Sequence, residues 1–275
     1  MTFREAAAVT GIGETSYTRG GPVRTALELQ IEAALKAVFD AGLRPVDIDG
    51  IVIPMGISPV IAEDFITHFA LPDSRFSAVT PLGGASCVAA LQSAVAAITT
   101  GICRHVLIPI GRTGFSGARI GTRLHQMPQF RAVGEFELPQ GAIAPATLYA
   151  PMARRHMETY GTTSRQLGEI AVTMRRHAML NDNATMRAPI TLEDHQASRM
   201  ISDPFRLLDC SLESDGGAAL IISRTETARD MLSFGLQYCP PDGVGPSGRT
   251  GSGRWIDRLP GVLLLKLCGA DIAES

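Results

Sequence analysis

The chain is short of everything that would place it in a membrane, on a nucleic acid or in a disulfide framework. No apolar run among its 275 residues reaches the roughly 18–20 needed to span a bilayer. The first residues, MTFREAAAVTGIGE, lack a basic segment followed by an uncharged apolar one, so no secretory signal is expected. Charge is nearly balanced, with 25 Lys and Arg against 27 Asp and Glu, which leaves no electrostatic case for nucleic acid or an anionic membrane as partner. The five cysteines (Cys87, Cys103, Cys210, Cys239 and Cys268) form no C-x-x-C pair and no metal-ligand spacing. An odd, irregular set favours reduced thiols in a cytoplasmic protein over cross-links. Lysine occurs only at Lys36 and Lys266, arginine taking its place, and this bias carries no functional reading.

What is present is apolar. A 45% hydrophobic content suffices for a large core in one or two domains. Ala6–Ile12 reads as a small strand ending at Gly11 and Gly13. A helix follows from about Arg24 to Ala41, with Leu27, Ile31, Ala34, Leu35 and Val38 at three-and-four spacing and Gly42 as its stop. Strand Ile51–Pro54, helix Ile61–Phe69 and strand Phe76–Thr80 come next, and a glycine turn leads into an apolar helix from Ser86. The strand His105–Ile110 is apolar almost throughout, as strands buried on both faces are. This alternation predicts a layered α/β fold with a mostly parallel sheet.

Residues Gly111–Ser202 break that rhythm. Gly111–Gly141 reads as irregular; helices are expected over Tyr149–Thr159 and Ser164–Leu180, the latter with a serine N-cap, and Thr191–Asp194 is a capping box. So long an excursion between strands points to function. A fifth strand is expected at Ala218–Ile222. Beyond about Asp230 periodicity stops: Pro240–Trp255 is rich in Gly, Pro and Ser, and only Leu259–Leu267 has the composition to pack. Residues 231–275 therefore read as an irregular tail, and a frame-shifted or prematurely ended reading of a longer gene fits the abrupt change.

In order along the chain, VTGIGETSYTR (Val9–Arg19), GGAS (Gly83–Ser86), MARRHMETYGTTSRQLGEIAV (Met152–Val172), PITLEDHQASRMISDPFRLLDC (Pro189–Cys210) and ESDGGAAL (Glu213–Leu220) resemble the thiolase superfamily. The likeness is to its sterol-carrier and lipid-transfer branch, close to the steroid side-chain retro-aldolases, and covers the N-terminal half of that fold over residues 1–230. It implies a loop region over about 111–202, a coenzyme A thioester as substrate with no bound cofactor, and a homodimer paired through Phe76–Thr80. A small zinc-ribbon/OB-fold partner protein is also implied.

The resemblance bears most on the glycine turn. A thiolase carries its nucleophilic cysteine at the N-terminus of the helix after the third strand, where the helix field favours a thiolate. Set against GASCVAAL (Gly84–Leu91), Ala85 and Ser86 match, the nucleophile's place falls on Gly84, and Cys87 stands where a glycine is usual. Gly83, Gly84 and Ser86 are then candidate substrate-binding residues, offering N–H donors at a helix start. Cys87 is a candidate nucleophile in the helix's first turn, or a small buried hydrophobe. His125, in the loop region, is a candidate ligand contact, or an exposed loop histidine. The Arg154/Arg155 pair is a candidate phosphate contact, or a solvated face. Asp209 and Asp215 read as turn and cap formers. The resemblance leaves acyl transfer or retro-aldol cleavage of a β-hydroxyacyl-CoA in lipid or steroid degradation, and cleavage, which needs no covalent thioester, suits glycine at position 84 better; a non-catalytic acyl-CoA-binding or scaffold subunit, or an inactive fragment, is the other reading.

Overall fold

The computed structural model describes residues 6–54, 60–124 and 131–228. In chain order it has β1 (Ala7–Glu14), α1 (Ala26–Asp40), β2 (Gly50–Pro54), α2 (Ala62–Phe69), β3 (Phe76–Thr80), α3 (Ser86–Thr99) and β4 (His105–Thr113). Then come α4 (Ile120–Leu124), α5 (Pro145–Tyr160), α6 (Ser164–Met179), α7 (Leu192–Ala197), β5 (Met200–Ser202), β6 (Phe205–Arg206) and β7 (Asp215–Arg224). These residues form two compact units. One holds the chain up to Thr15, Thr25–Arg112 and the chain from Gly217; the other holds Ser16–Arg24 and Thr113–Gly216.

The first unit is a mixed α/β fold around a sheet of order β1-β7-β4-β2-β3. β2 runs parallel to β3 and to β4, while β1 is antiparallel to β7. Helix α1 starts where Thr25 and Glu28 each satisfy the other's backbone N–H, and Gly42, at φ 69°, follows its end. Its alanines Ala33, Ala34 and Ala37 pack with Phe65 of α2, Leu107 and Ile221 on one face of the sheet. Ala90, Ala94 and Ile98 of α3 pack with Val52, Val106 and Ile222 on the other. Strand β4 is apolar on both faces because Val106 and Leu107 are each fully buried, one in each cluster.

The second unit is helical. Helix α6 is capped by Thr163, not by Ser164: the Thr163 hydroxyl accepts from Gln166 N and Gln166 Oε1 accepts from Thr163 N. Ser164, one residue further on, is already helical. Thr191 and Asp194 form the expected capping box of α7.

Two further expectations change. Strand β1 does not end at its glycines but runs through them to Glu14. The reason is packing: a Cβ on Gly11 would lie 2.1 Å from Ala37 O, and one on Gly13 2.2 Å from Ala33 O. The glycines are where strand and helix backbones touch. Residues 111–141 are not irregular throughout, since α4, a π-helical turn at Val133–Glu137 and a 3-10 turn at Leu138–Gln140 lie within them. The antiparallel hairpin β5–β6 went unread, its strands being too short for an alternation to show. The expected tail, 231–275, lies outside the described residues.

Candidate functional site

The turn between β3 and α3 is built by two hydroxyls. Thr80 Oγ1, at the end of β3, donates to Ser86 O at 2.9 Å, and Ser86 Oγ accepts from Leu82 N at 2.9 Å. Both side chains are buried. Gly83, at φ 59°, supplies the left-handed residue that lets the chain reverse into one 3-10 turn, Gly83–Ala85, before α3 begins. No side chain caps α3, because Ala85 holds the N-cap position. In the 3-10 turn Ala85 N donates to Leu82 O and Ser86 N to Gly83 O, so the partial positive charge of a helix start, which suits an oxyanion, is offered by the first turn of α3 beyond Ser86.

Around that turn the surface is small and open. Gly84 is exposed, and a Cβ built on it meets nothing within 4 Å. Its φ lies outside the left-handed region, so a side chain is sterically admissible there. Cys87 is exposed on the first turn of α3, next to the exposed Val88. Cys87 differs in this from the other described cysteines. The Cys103 thiol is buried in the core and pushed up to about 12, chiefly by burial; Cys210 is also raised, again chiefly by burial. Neither is a thiolate near neutral pH.

Gly83, Gly84 and Cys87 thus share one turn, as their spacing in the chain requires. Ser86 is there too, but with its hydroxyl spent inside the turn, so what it offers a ligand is the backbone it holds in place. His125 lies outside the described residues. Arg154 is ion-paired with Asp203, and Arg155 is exposed, the arrangement of a solvated helix face. Asp209 caps Arg206 N at 2.7 Å, and Asp215 accepts from Phe115 N and Ser116 N at 2.8 and 3.1 Å. Both carboxylates shape turns, as read from sequence.

Sequence reasoning missed two features. Thr80 was taken as the last strand residue and not as half of the turn's clamp, although a hydroxyl on each side of a Gly-Gly pair was there to be read. It also missed that Asp209 accepts from His195 Nε2 at 2.7 Å, while Gln196 Nε2 lies 3.0 Å from His195 Nδ1. His195 is fully buried and packs against Gly168 of α6, where a Cβ would lie 2.8 Å from Nδ1. With both ring nitrogens engaged and no exposure, this pair ties α7 to the turn that ends at Asp209. Among the described residues no three His, Cys, Asp or Glu side chains are grouped as metal ligands, and no helix is long and apolar enough to cross a membrane.

No protein-family model matches the chain. It is 40% identical over 232 residues to a steroid side-chain-cleaving aldolase of Thermomonospora curvata, covering 82% of this chain and 59% of that protein. It is 37% identical over 254 residues to the 17-hydroxy-3-oxo-4-pregnene-20-carboxyl-CoA lyase of Mycobacterium tuberculosis, covering 86% and 64%. Among solved structures, an Ltp2–ChsH2(DUF35) aldolase superposes with a TM-score of 0.76 at 38% identity, over 83% of this chain and 58% of the other. The chain spans about three-fifths of the length of the curated relatives it matches.

Proposed function

We propose that the chain belongs to the sterol-carrier-protein branch of the thiolase superfamily, as its likeness to steroid side-chain aldolases supports, and that it serves retro-aldol carbon–carbon cleavage of a β-hydroxyacyl-CoA. One observation carries the choice of cleavage over acyl transfer. By the resemblance Gly84 stands in the place of the thiolase nucleophile; a Cβ there would meet nothing within 4 Å, and no side chain caps the helix start behind it. In a retro-aldol step a general base takes the β-hydroxyl proton and the oxygen's electrons form a carbonyl. The Cα–Cβ bond then breaks, leaving its pair on the α-carbon as a thioester enolate. That enolate puts negative charge on the thioester oxygen, and the N–H groups of the first turn of α3 beyond Ser86 suit that charge. No attacking thiol is needed.

The substrate is a steroid or other lipid acyl-CoA, by analogy with the relatives' names. The chain works as a homodimer through β3, an edge strand of the sheet, and with a small zinc-ribbon/OB-fold protein in the place of the DUF35 partner. A second reading has its own support: from Thr80 to Ala90 the only titratable side chain is Cys87. A turn that binds a thioester without supplying acid or base would suit a scaffold subunit.

Incubation with a β-hydroxy steroid-CoA, and separately with a β-ketoacyl-CoA plus CoA, separates these readings. Cleavage of the first substrate to a ketone and a shortened acyl-CoA is expected, with no thiolysis of the second. Turnover of neither, with binding of both retained, leaves the scaffold; thiolysis of the second overturns the assignment.

A further inference from the structure

The second unit gathers arginine around one aromatic ring. The guanidinium carbons of Arg19 and Arg119 stand over Phe115 at 5.3 and 4.9 Å from its centroid. The backbone that carries them is fixed by two carboxylates. Thr18 exchanges both main-chain hydrogen bonds with Asp215, at 3.0 and 2.8 Å, which places Arg19 beside it. Asp215 Oδ1 holds Phe115 N and Ser116 N, and Glu213 Oε1 holds Ile120 N at 2.6 Å. Asp215 is thereby spent on backbone donors. Glu213 remains for Arg119, at 3.1 Å, and Arg123, at 3.8 Å. Arg19 has no carboxylate partner among the described residues.

Arginine on an aromatic face is by itself an ordinary surface contact. Two further facts set this cluster apart. Three guanidiniums stand against two carboxylates, Glu213 and Asp215, and only Glu213 is ion-paired with any of them, which leaves a positive excess on a preformed loop. In addition, Arg123 Nε is buried and makes no hydrogen bond among the described residues, and a buried donor left unpaired is costly. A guanidinium held over a ring by its face can keep its in-plane N–H fork for two oxygens of one tetrahedral or planar anion, and of the two over Phe115 it is Arg19 that has no carboxylate on that fork.

We propose that Arg19, Arg119 and Arg123 form a binding site for a phosphate-type oxyanion. Phe115 holds the guanidinium planes, and Glu213 moderates their mutual repulsion. The phosphate is either free or carried on a coenzyme A thioester, and the second source rests on the cleavage reading above. The full chain is titrated with pyrophosphate at low salt by calorimetry, then with coenzyme A, dephospho-coenzyme A and pantetheine as competitors. Saturable pyrophosphate binding is expected, weakened roughly fivefold or more by Arg19→Gln or Arg123→Gln, and weakened by raised salt. Arg19 is exposed, so its variant keeps the fold even if that of Arg123 does not. Competition by coenzyme A but not by pantetheine assigns the phosphate to the substrate; competition by neither assigns it to free phosphate. No saturable pyrophosphate binding, or binding unchanged in a folded Arg19→Gln variant, overturns the site. Cleavage of a β-hydroxyacyl-CoA is read from products, so that reading stands or falls separately.

Discussion

Position 84 and its neighbour Cys87 decide what this turn can do. An alanine at 84 enters open space, and the cost of Gly84→Ala is expected to stay within about 0.5 kcal/mol, as at other unobstructed surface sites. Gly84→Cys, made in a Cys87→Ser background, places a thiol at the uncapped start of α3. Its reaction with iodoacetamide near pH 7 is expected to be faster than that of a free cysteine, because the helix field favours the thiolate. A rate no faster would mean that the donors of this turn do not face position 84. Cys87 itself lies three residues further along, and Cys87→Ser is expected to leave β-hydroxyacyl-CoA cleavage unchanged. Loss of cleavage in that variant would make Cys87 a participant and reopen the covalent reading.

Among the elements, β1 and α1 are joined backbone to backbone. A Cβ on Gly13 would lie 2.2 Å from Ala33 O and 2.5 Å from Ala37 N, main-chain atoms that cannot swing away as a side chain would. Gly13→Ala is therefore expected to lose roughly 1–3 kcal/mol or more by overpacking, read as a lowered urea midpoint beside an unchanged Gly84→Ala control. Equal midpoints would show that helix and strand are not this close. Strand β3 offers a different test. It ends the sheet, and its Val79 is 53% exposed. An unpaired edge with an apolar side chain invites another strand. If two copies pair there, Val79→Arg is expected to shift sedimentation toward the monomer by at least tenfold in dissociation constant; an unaffected dimer would place the interface elsewhere.

At the scale of the molecule, one buried histidine links stability to pH. His105 Nδ1 lies 2.9 Å from Ser223 Oγ, which lies 2.8 Å from Thr10 Oγ1, so β4, β7 and β1 share one polar chain inside the sheet. Burial holds this imidazole below its ordinary value near 6.5; the Asp49 carboxylate partly opposes the shift. The folded protein therefore keeps His105 neutral where the unfolded chain takes up a proton. The stability this confers is fully present above about pH 6.5 and is lost as pH falls from there through the folded value. His105→Asn, which can keep a hydrogen bond to Ser223, is expected to flatten the fall in urea midpoint between about pH 6.5 and 5. An identical slope would locate the proton uptake elsewhere.

The sequence by itself determined the local order. β3 and the start of α3 were legible to the residue, because an apolar run, a proline, two glycines and a small-residue helix are all signals within 25 positions. The alternation of strands and helices and the capping box at Thr191 were legible for the same reason. What only the tertiary structure decided lies between residues far apart in the chain. Gly11 and Gly13 looked like a strand's end because a glycine in a strand is usually punctuation; here they are contacts with a helix more than 20 residues on. The Thr10–Ser223–His105 chain and the His195–Asp209 bond join positions 14 to 213 apart, and Arg19 reaches Phe115 from near the start of the chain. A local pattern records what a segment prefers. Which buried polar group finds which partner, and where a cation is left without one, depends on how the chain is brought together.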